Sequence, residues 1–380
     1  MIWGVKATVE ERLALLLAIK EPGKYVDFDH LYSKVARDVE VAEQRRVSVE
    51  DVQRVLDQMV KKGVVLKSDE GYAKTPELDE IVKRAAEREG SLLNTSYLRV
   101  WVAKDYYPKV AEHMLPFLVN RAVSAVKVFS GKKDPLNEVE AIFVRYAKYK
   151  PKPQFLTVGS KERLIELVYD HCVDFIPYIH PLNSNEPDFF VLDLDAGRKI
   201  IEAEDGFQLL KEVTYRLAEM LIESGVGVMV KFSGSRGFQI WAKLDNSTLR
   251  ARGDLFKVYR EIAIKMQAKL EDRLRSDRDL VERFKHIVDL QGGFTTSQVA
   301  HKEERVGQIL VDWSLLKPMG DVRAPLSMHY KTGLISTPVP LDRLLTFRVE
   351  DARPSSVLQR LEEYSKVMRL PLSDPTNLIA

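Results

Sequence analysis

The sequence has one cysteine among 380 residues, no apolar run of membrane-spanning length and almost no net charge. The single cysteine, Cys172, excludes an internal disulfide framework and a cysteine-rich zinc site, and it fits a reducing cytoplasm. A helix that crosses a bilayer needs about 20 apolar residues in a row, so we expect no membrane contact. Since the net charge is only +2, any contact with nucleic acid must come from local basic patches.

The composition is that of a globular chain, with 45% hydrophobic and 30% charged residues and room for two or three domains. Residues 1–90 show three helical periodicities followed by a short hairpin, the order of a winged-helix domain. This segment carries 16 lysines and arginines against 18 aspartates and glutamates, so DNA contact and protein docking both stay open. Strands and helices then mix, which predicts an α+β catalytic domain over 91–350 and a C-terminal helix and tail over 351–380.

Two aspartates close an apolar run in the middle of the chain. Asp193 and Asp195 follow four apolar residues, and side chains two apart in a strand share a face, about 7 Å apart. Burying like charges that close is costly unless a cation neutralises them. The same Asp-x-Asp spacing at 27–29 precedes a helix and predicts a cap, and at 277–279 it predicts a solvated helix face. Only the pair at 193–195 therefore predicts a metal site.

Two further segments place polar groups at the ends of apolar runs. The segment 233–237, Ser-Gly-Ser-Arg-Gly, combines glycines that let a ligand approach the backbone with hydroxyl and guanidinium donors for phosphate. Its alternative interpretation is a tight hairpin turn with an exposed arginine. Asp312 ends a later apolar run, where it is either a strand-terminating acid or the third carboxylate of a metal cage. Taken together, these groups indicate nucleotidyl transfer.

A third group of polar residues follows downstream. Arg323, His329 and Lys331 lie within nine residues, a density of cationic or potentially cationic groups that suits a triphosphate. The alternative is a surface loop with ordinary basic residues. His180 follows an apolar segment and either lines the same pocket or is a satisfied, half-buried histidine.

The segment 145–153 interleaves basic and aromatic residues, in the order Arg-Tyr-Ala-Lys-Tyr-Lys-Pro-Lys-Pro. Aromatic rings can stack on unpaired bases while lysines follow the phosphates. The two prolines predict a loop. A nucleic-acid contact is the interpretation that we favour over a solvated loop, because of the neighbouring motifs.

The motifs at 193–195, 233–238 and 311–314, read in order, resemble the three motifs of the archaeo-eukaryotic primase superfamily. Over residues 95–350 the chain is most similar to the polymerase domain of LigD-type end-joining ligases, including Tyr-Tyr-Pro-Lys-Val-Ala at 106–111 and Ile-Ser-Thr-Pro-Val at 335–339. The segment 327–333, Ser-Met-His-Tyr-Lys-Thr-Gly, is more similar to the small catalytic subunit of replicative primases. The resemblance implies an RRM-like primase-polymerase core.

The resemblance also implies an activity, namely a template-dependent nucleotidyltransferase of the DNA primase or repair polymerase type that adds nucleotides to a 3′-hydroxyl on DNA. Two Mg²⁺ or Mn²⁺ ions would activate that hydroxyl and stabilise pyrophosphate, and their ligands would be Asp193, Asp195 and Asp312. The residues that would contact the nucleoside triphosphate are Ser233, Ser235, Arg236, Arg323, His329, Lys331 and, near its sugar or phosphates, His180. The implied partners are template and primer DNA, NTP or dNTP, and a ligase or other replication or repair proteins.

One position departs from the family pattern, because the histidine of the second motif falls on Gln239. A glutamine donates a hydrogen bond to phosphate without carrying charge, and losing a charge-assisted bond costs about 1.5–3 kcal/mol. The cysteine zinc site of many primase small subunits is also absent from the sequence. The alternative function is therefore a catalytically weak or inactive paralogue that binds DNA or a partner protein.

Overall fold

The computed structural model describes residues 8–43, 45–87, 96–130, 139–288, 291–297 and 307–379. The predicted domain boundary near residue 90 lies outside these ranges. Within them, buried apolar side chains form two clusters, one drawn from residues 13–98 and the other from residues 100–378. No helix in these ranges is long and apolar enough to cross a membrane.

The N-terminal unit has the predicted order of three helices and a hairpin. Its elements are α1 Val9–Ala18, α2 Phe28–Glu43, α3 Val49–Lys61, β1 Val65–Ser68, β2 Gly71–Lys74 and α4 Pro76–Glu87. Ser48 caps α3 by accepting a hydrogen bond from the Asp51 N–H, and Asp27 accepts one from His30 N–H at 2.7 Å, which confirms the predicted cap. The winged-helix assignment and the choice between DNA and protein as its partner stay predictions.

The remainder of the chain mixes helices and strands, which confirms the α+β prediction. The helices are α5 Ser96–Leu118, α6 Lys161–Tyr169, α7 Arg198–Glu202, α8 Gly206–Glu223, α9 Leu255–Ser276, α10 Arg278–Phe284, α11 Pro354–Gln359, α12 Leu361–Val367 and α13 Thr376–Ile379. The strands are β3 Val123–Ser130, β4 Val139–Val144, β5 Tyr146–Lys148, β6 Gln154–Phe155, β7 Cys172–Pro177, β8 Phe190–Ala196, β9 Val228–Phe232, β10 Gly237–Leu244, β11 Thr295–Thr296, β12 Ile309–Asp312, β13 Pro338–Val339 and β14 Leu372–Ser373.

A central sheet has the strand order β11-β12-β8-β10-β9-β13, and β14 runs parallel beside β10. Its two faces differ in chemistry. On one face Leu194 lies opposite Phe238, which in turn lies opposite Phe232, and Phe207 of α8 packs its ring against both phenylalanines. Strand alternation therefore turns the neighbouring residue, Asp193, towards the other face. A second sheet, β4-β3-β7, stands beside this one.

Two helical predictions need correction. The segment 277–279, predicted to lie on a solvated helix face, contains a break between helices, because Asp277 ends α9 and caps α10 through a hydrogen bond from the Leu280 N–H at 2.9 Å. Asp277 is therefore a helix cap and not part of a solvated helix face. The C-terminal helix predicted within 351–380 is divided as well, into α11 and α12, which are separated at Arg360.

Candidate functional site

A row of polar residues crosses the central sheet. Asp312 of β12 lies opposite Asp193 of β8, Asp193 opposite Gln239 of β10, and Gln239 opposite Lys231 of β9. Residues paired in this way project from the same face of a sheet. We call these four residues the polar row. Asp195 lies two residues beyond Asp193 on the same face. The register thus brings the three predicted carboxylates onto one face of two adjacent strands.

Space beside Asp195 depends on a glycine in the neighbouring strand. Gly237 lies directly opposite Asp195, and a Cβ atom added there would stand 2.3 Å from the Leu194 carbonyl oxygen and 2.5 Å from Asp195 Oδ1. Any side chain at position 237 would displace the carboxylate. The second glycine of the Ser-Gly-Ser-Arg-Gly segment is therefore required by the position of Asp195.

The three aspartates match divalent metal in chemistry, since carboxylate oxygens are the ligands that Mg²⁺ and Mn²⁺ prefer. One oxygen of Asp312 accepts a hydrogen bond from the Ser314 N–H at 2.7 Å. Among the residues that the structure describes, no three acidic, histidine or cysteine side chains are gathered closely enough to hold a metal ion. The three aspartates have the chemistry that a divalent ion requires, and the strand register places them on one face. Rotation of their side chains would have to bring the carboxylates together around an ion.

The polar row also contains a residue that the sequence did not single out, Lys231. Its side chain is fully buried, its Nζ donates a hydrogen bond to Ser336 Oγ at 2.6 Å, and it stands 5.5 Å from the centre of the Trp241 ring. Burial and the nearby Arg323 lower the pKa of Lys231 well below its usual value, while Asp193 acts in the opposite direction. The only signal in the sequence was one lysine inside an otherwise apolar strand.

The segment 233–237 forms a turn at the end of β9. Ser233 is buried and its Oγ accepts hydrogen bonds from the Gly237 N–H at 3.2 Å and the Ser235 N–H at 3.4 Å, so this hydroxyl organises the turn itself. Gly234 has φ 86°, a conformation that favours glycine. Ser235 and Arg236 are half-buried. Of the side chains predicted to contact phosphate, Ser233 is thus engaged within the turn, whereas Ser235 and Arg236 remain partly accessible.

Arg323 supports this turn from inside the protein. Its guanidinium makes a bidentate ion pair with Asp174, with Nε–Oδ1 and Nη2–Oδ2 distances of 2.8 Å, and its Nη1 donates to the Ser233 carbonyl oxygen at 2.9 Å. Asp174 is fully buried and also accepts from Ser327 Oγ and the Tyr330 N–H. Arg323, predicted to contact the triphosphate, is therefore engaged in positioning the turn. Reasoning from the sequence assigned no role to Asp174, although an acid in an apolar strand was the available signal.

The segment around His329 packs directly against the turn. Thr332 Oγ1 donates to the Gly234 carbonyl oxygen at 2.5 Å, and a Cβ atom on Gly234 would lie 2.9 Å from His329 Cβ. The predicted proximity of these segments is present in the fold. Lys331 is exposed, with its Nζ 5.6 Å from the Tyr330 ring centre.

The sequence left open whether His329 is cationic or neutral, and its surroundings in the fold favour the neutral form. Burial, with the charges of Arg323, Arg99 and Lys331, lowers the pKa of His329 to about 3, so the ring is neutral near pH 7. The Thr332 N–H donates to His329 Nδ1 at 3.2 Å, which leaves the proton on Nε2. His329 can therefore offer a hydrogen-bond donor to a phosphate but no charge.

Two further predicted residues differ in their surroundings. Gln239 is 5% exposed, and its Oε1 has no hydrogen-bond partner within the described ranges. It stands in the polar row between Asp193 and Lys231. His180 is half-buried, with its Nδ1 2.9 Å from the Pro181 carbonyl oxygen and its Nε2 accepting from the Met319 N–H at 3.3 Å. These contacts match the alternative interpretation of His180 as a satisfied histidine.

Comparison with known proteins gives matches to this region from a family profile and from solved structures. Residues 103–291 match the sequence profile of the family described as "LigD, primase-polymerase domain". Among solved structures, the polymerase domain from Mycobacterium tuberculosis ligase D in complex with DNA superposes with a TM-score of 0.52 and 19% sequence identity, covering 70% of this chain and 92% of that one. At that identity the superposition shows a shared fold. No curated protein matches the sequence.

The matched residues carry β7, β8, the turn at 233–237 and most of the polar row, while Asp312, Arg323 and the His329 segment lie beyond them. The superposition extends the likeness to most of that structure's length. Residues 103–291 are therefore a primase-polymerase domain of the LigD family, within the archaeo-eukaryotic primase superfamily.

Proposed function

We propose that this chain is a template-dependent nucleotidyltransferase that adds nucleotides to a 3′-hydroxyl on DNA during repair or priming. The observation that carries the proposal is the register of β8 and β12, which sets Asp312 opposite Asp193 with Asp195 on the same face. Membership in a polymerase-domain family supports nucleotidyl transfer as the reaction. The similar polymerase domain of ligase D is described in complex with DNA, which supports DNA as the partner.

In this proposal Asp193, Asp195 and Asp312 would hold two Mg²⁺ or Mn²⁺ ions, which when bound activate the 3′-hydroxyl and neutralise the departing pyrophosphate. The protein's own contribution is to position the triphosphate. The Ser233–Gly237 turn would offer N–H groups and the Ser235 hydroxyl.

Charge at this site would come from Arg236 and Lys331, while His329 would donate a hydrogen bond from neutral Nε2. Arg323 and Asp174 are positioning residues, because they fix the turn through the Ser233 carbonyl oxygen. Lys231 would place positive charge behind the polar row when it is protonated.

A primer-extension assay on gapped and primer–template DNA tests the proposal, with Mn²⁺ or Mg²⁺ and with NTPs and dNTPs in parallel. We expect extension by the native protein and its loss in the double variant Asp193→Asn with Asp195→Asn. The matched control is Asp29→Asn with Asp279→Asn, which neutralises one exposed acid in each of the other two Asp-x-Asp segments and should leave extension unchanged. Extension that survives in the first double variant would refute the proposed site.

A second candidate function is a catalytically weak or inactive relative that binds DNA or a repair partner. Two observations favour it, the neutral Gln239 at the position of the family's histidine and the absence of a ready-formed metal-ligand group among the described residues. This candidate predicts DNA binding without incorporation. A Gln239→His variant that gains activity at least tenfold over the native protein would support it, and robust incorporation by the native protein would remove it.

A further inference from the structure

A short segment of the chain concentrates positive charge beside one exposed aromatic residue. Between β4 and α6, the side chains of Arg145, Lys148, Lys150 and Lys152 are all exposed, and Tyr149 is 65% exposed. We call these five residues the Tyr149 surface. The segment 145–155 contains no aspartate or glutamate. Repulsion among four neighbouring cations is unfavourable for the isolated protein, so their proximity favours an external polyanion.

Among the described residues, no acid neutralises the cations of the Tyr149 surface. No ion pair joins any of the four to a carboxylate within the described ranges, whereas nearby Lys127 pairs with Asp170 and Arg163 with Glu166. Unpaired lysines and arginines keep their full attraction for phosphate, and the release of counterions from a nucleic acid then contributes to binding. The charge of this surface is available to a ligand.

Tyr149 is backed by a series of aromatic rings that hold it in place. Its ring centre lies 5.4 Å from that of Tyr146, which stacks on Phe155 at 5.3 Å with an angle of 20° between the planes. Phe155 meets Tyr178 edge-on at 5.7 Å. A ring supported from behind loses little conformational freedom when a base stacks on its exposed face.

The same series of rings connects this surface to the strand behind the candidate site. Tyr178 directly follows β7, the strand that carries Asp174, and its backbone pairs with Asp321 two residues before Arg323. Arg323 in turn holds the Ser233 turn. The Tyr149 surface is therefore built on the same framework as the polar row and the turn.

We propose that the Tyr149 surface binds an unpaired stretch of nucleic-acid strand, with a base stacked on Tyr149 and phosphates held by the four cations. The inference rests on the proposed function, since a template-dependent enzyme must hold unpaired template beside its site. An acidic protein segment would match the charge, but it would leave the exposed face of Tyr149 without a partner.

Fluorescence anisotropy with a labelled oligo(dT) strand, without divalent ion or nucleotide, tests the inference. We expect Tyr149→Ala to weaken binding about tenfold, with Tyr149→Phe close to the native protein because the ring is kept. The triple variant Lys148→Gln, Lys150→Gln, Lys152→Gln should reduce the slope of log K against log salt by about 2, since each phosphate contact on a single strand contributes about 0.7.

The matched controls are Tyr169→Ala, another exposed tyrosine, and the triple variant Lys265→Gln, Lys269→Gln, Lys366→Gln, which removes three exposed lysines elsewhere. Both should bind oligo(dT) like the native protein. The inference is overturned if the two triple variants lose affinity equally, or if Tyr149→Ala has no effect. It is also overturned if polyglutamate binding falls in parallel with oligo(dT) binding in both variants, which would identify an acidic protein partner.

This experiment separates the inference from the proposed function because it requires no catalysis. If the native protein extends no primer but the Tyr149 and lysine variants bind oligo(dT) less well, the proposed function fails and the surface stands. If extension occurs and those variants bind like the controls, only the surface fails. Unchanged circular dichroism and thermal unfolding of each variant establish that the fold is intact.

Discussion

The third helix of the N-terminal unit and the centre of the primase-polymerase domain both contain charged residues, exposed in one and buried in the other. On α3, Arg54 pairs with Asp51, and both side chains are about half exposed or more. Behind the turn, Asp174 and Lys231 have no exposed surface. Water compensates a broken surface pair, whereas a buried charge relies entirely on its protein partners. The buried charges therefore fix geometry in a way that the surface pairs do not.

The N-terminal unit and the Tyr149 surface also differ in what they can bind. Several cations of the N-terminal unit pair with acids, as in Lys62 with Glu10 and Lys67 with Asp57. The cations of the Tyr149 surface have no such acids among the described residues. The N-terminal unit has nearly equal numbers of basic and acidic residues. Its helix surface should therefore attract phosphate less strongly than the Tyr149 surface does.

The largest expected effect follows from removing the buried acid, Asp174→Ala. This change leaves the Arg323 guanidinium buried without its carboxylate and removes the acceptor for Ser327 and Tyr330. We expect the free energy of unfolding to fall by about 3–5 kcal/mol in denaturant titration. A loss below about 1 kcal/mol would mean that this cluster behaves like the surface pairs, and the contrast between the regions would be lost.

A somewhat smaller effect is expected for Gly237→Ala, because the added Cβ collides with backbone and with Asp195 Oδ1. Overpacking of this kind costs about 1–3 kcal/mol, and we expect primer extension to fall further because Asp195 is displaced. Gly159→Ala is the matched control, since a Cβ there meets nothing within 4 Å. Equal unfolding curves for the two variants would contradict the role given to Gly237.

Lys231→Met should change stability in the opposite direction at neutral pH. The pKa of Lys231 is lowered by burial, so the folded state binds this proton less tightly than the unfolded state. The resulting penalty is absent above the unfolded pKa of 10.5 and grows as pH falls towards the lowered value. Replacing buried ionic groups with apolar ones is neutral to stabilising by up to about 4 kcal/mol, and we expect about 1 kcal/mol at pH 7.

Denaturant unfolding of Lys231→Met and of the native protein at pH 7 and pH 10 checks this prediction. The gain in stability should be larger at pH 7. A variant that is less stable by the same amount at both pH values would show that the hydrogen bond to Ser336 and the contact with Trp241 outweigh the burial of the ammonium group.

Protonation of His329 should destabilise the folded protein at acid pH, and we expect an effect of intermediate size. Its pKa of about 3 in the folded state lies below the ordinary value of 6.5, so its contribution to stability is complete above pH 6.5 and is lost as pH falls towards 3. His329→Asn keeps an acceptor for the Thr332 N–H and cannot be protonated in this range. We expect this variant to lose less stability than the native protein between pH 6.5 and pH 4, measured by unfolding midpoints. Parallel curves would contradict the burial of a neutral ring.

The smallest effect is expected for Arg54→Ala on the exposed face of α3. Its pair with Asp51 is solvated, and such pairs contribute about 0–1 kcal/mol. We expect the unfolding midpoint to change little and the affinity for oligo(dT) to stay as in the native protein. A loss of affinity comparable with that of the lysine variant of the Tyr149 surface would move the nucleic-acid contact to the N-terminal unit.

These contrasts also explain what the sequence could predict. Strand alternation placed Asp193 and Asp195 on one face, and capping chemistry assigned Asp27 to the start of α2, because both signals are local. The register that sets Asp312 opposite Asp193 joins strands more than a hundred residues apart, so residue spacing alone could suggest their proximity but not their alignment.

Other features depended on tertiary packing that no local pattern encodes. In the sequence, Lys231 and Asp174 are single charged residues in otherwise apolar strands. Their structural roles depend on contacts with partners in residues 323–336. The charge state of His329 depended on burial, which a count of basic residues does not include. Asp277 was assigned to a helix face because the periodicity continues on both sides of the break.

If Asp193, Asp195 and Asp312 share divalent ions, the number of bound Mn²⁺ ions depends on these three side chains, and electron paramagnetic resonance can count those ions. With a nonhydrolysable nucleoside triphosphate analogue present, we expect two bound Mn²⁺ per chain. Changing all three aspartates to asparagine should leave only the Mn²⁺ that the nucleotide carries. Equal Mn²⁺ binding by the native protein and this triple variant would show that the three aspartates do not form the metal site.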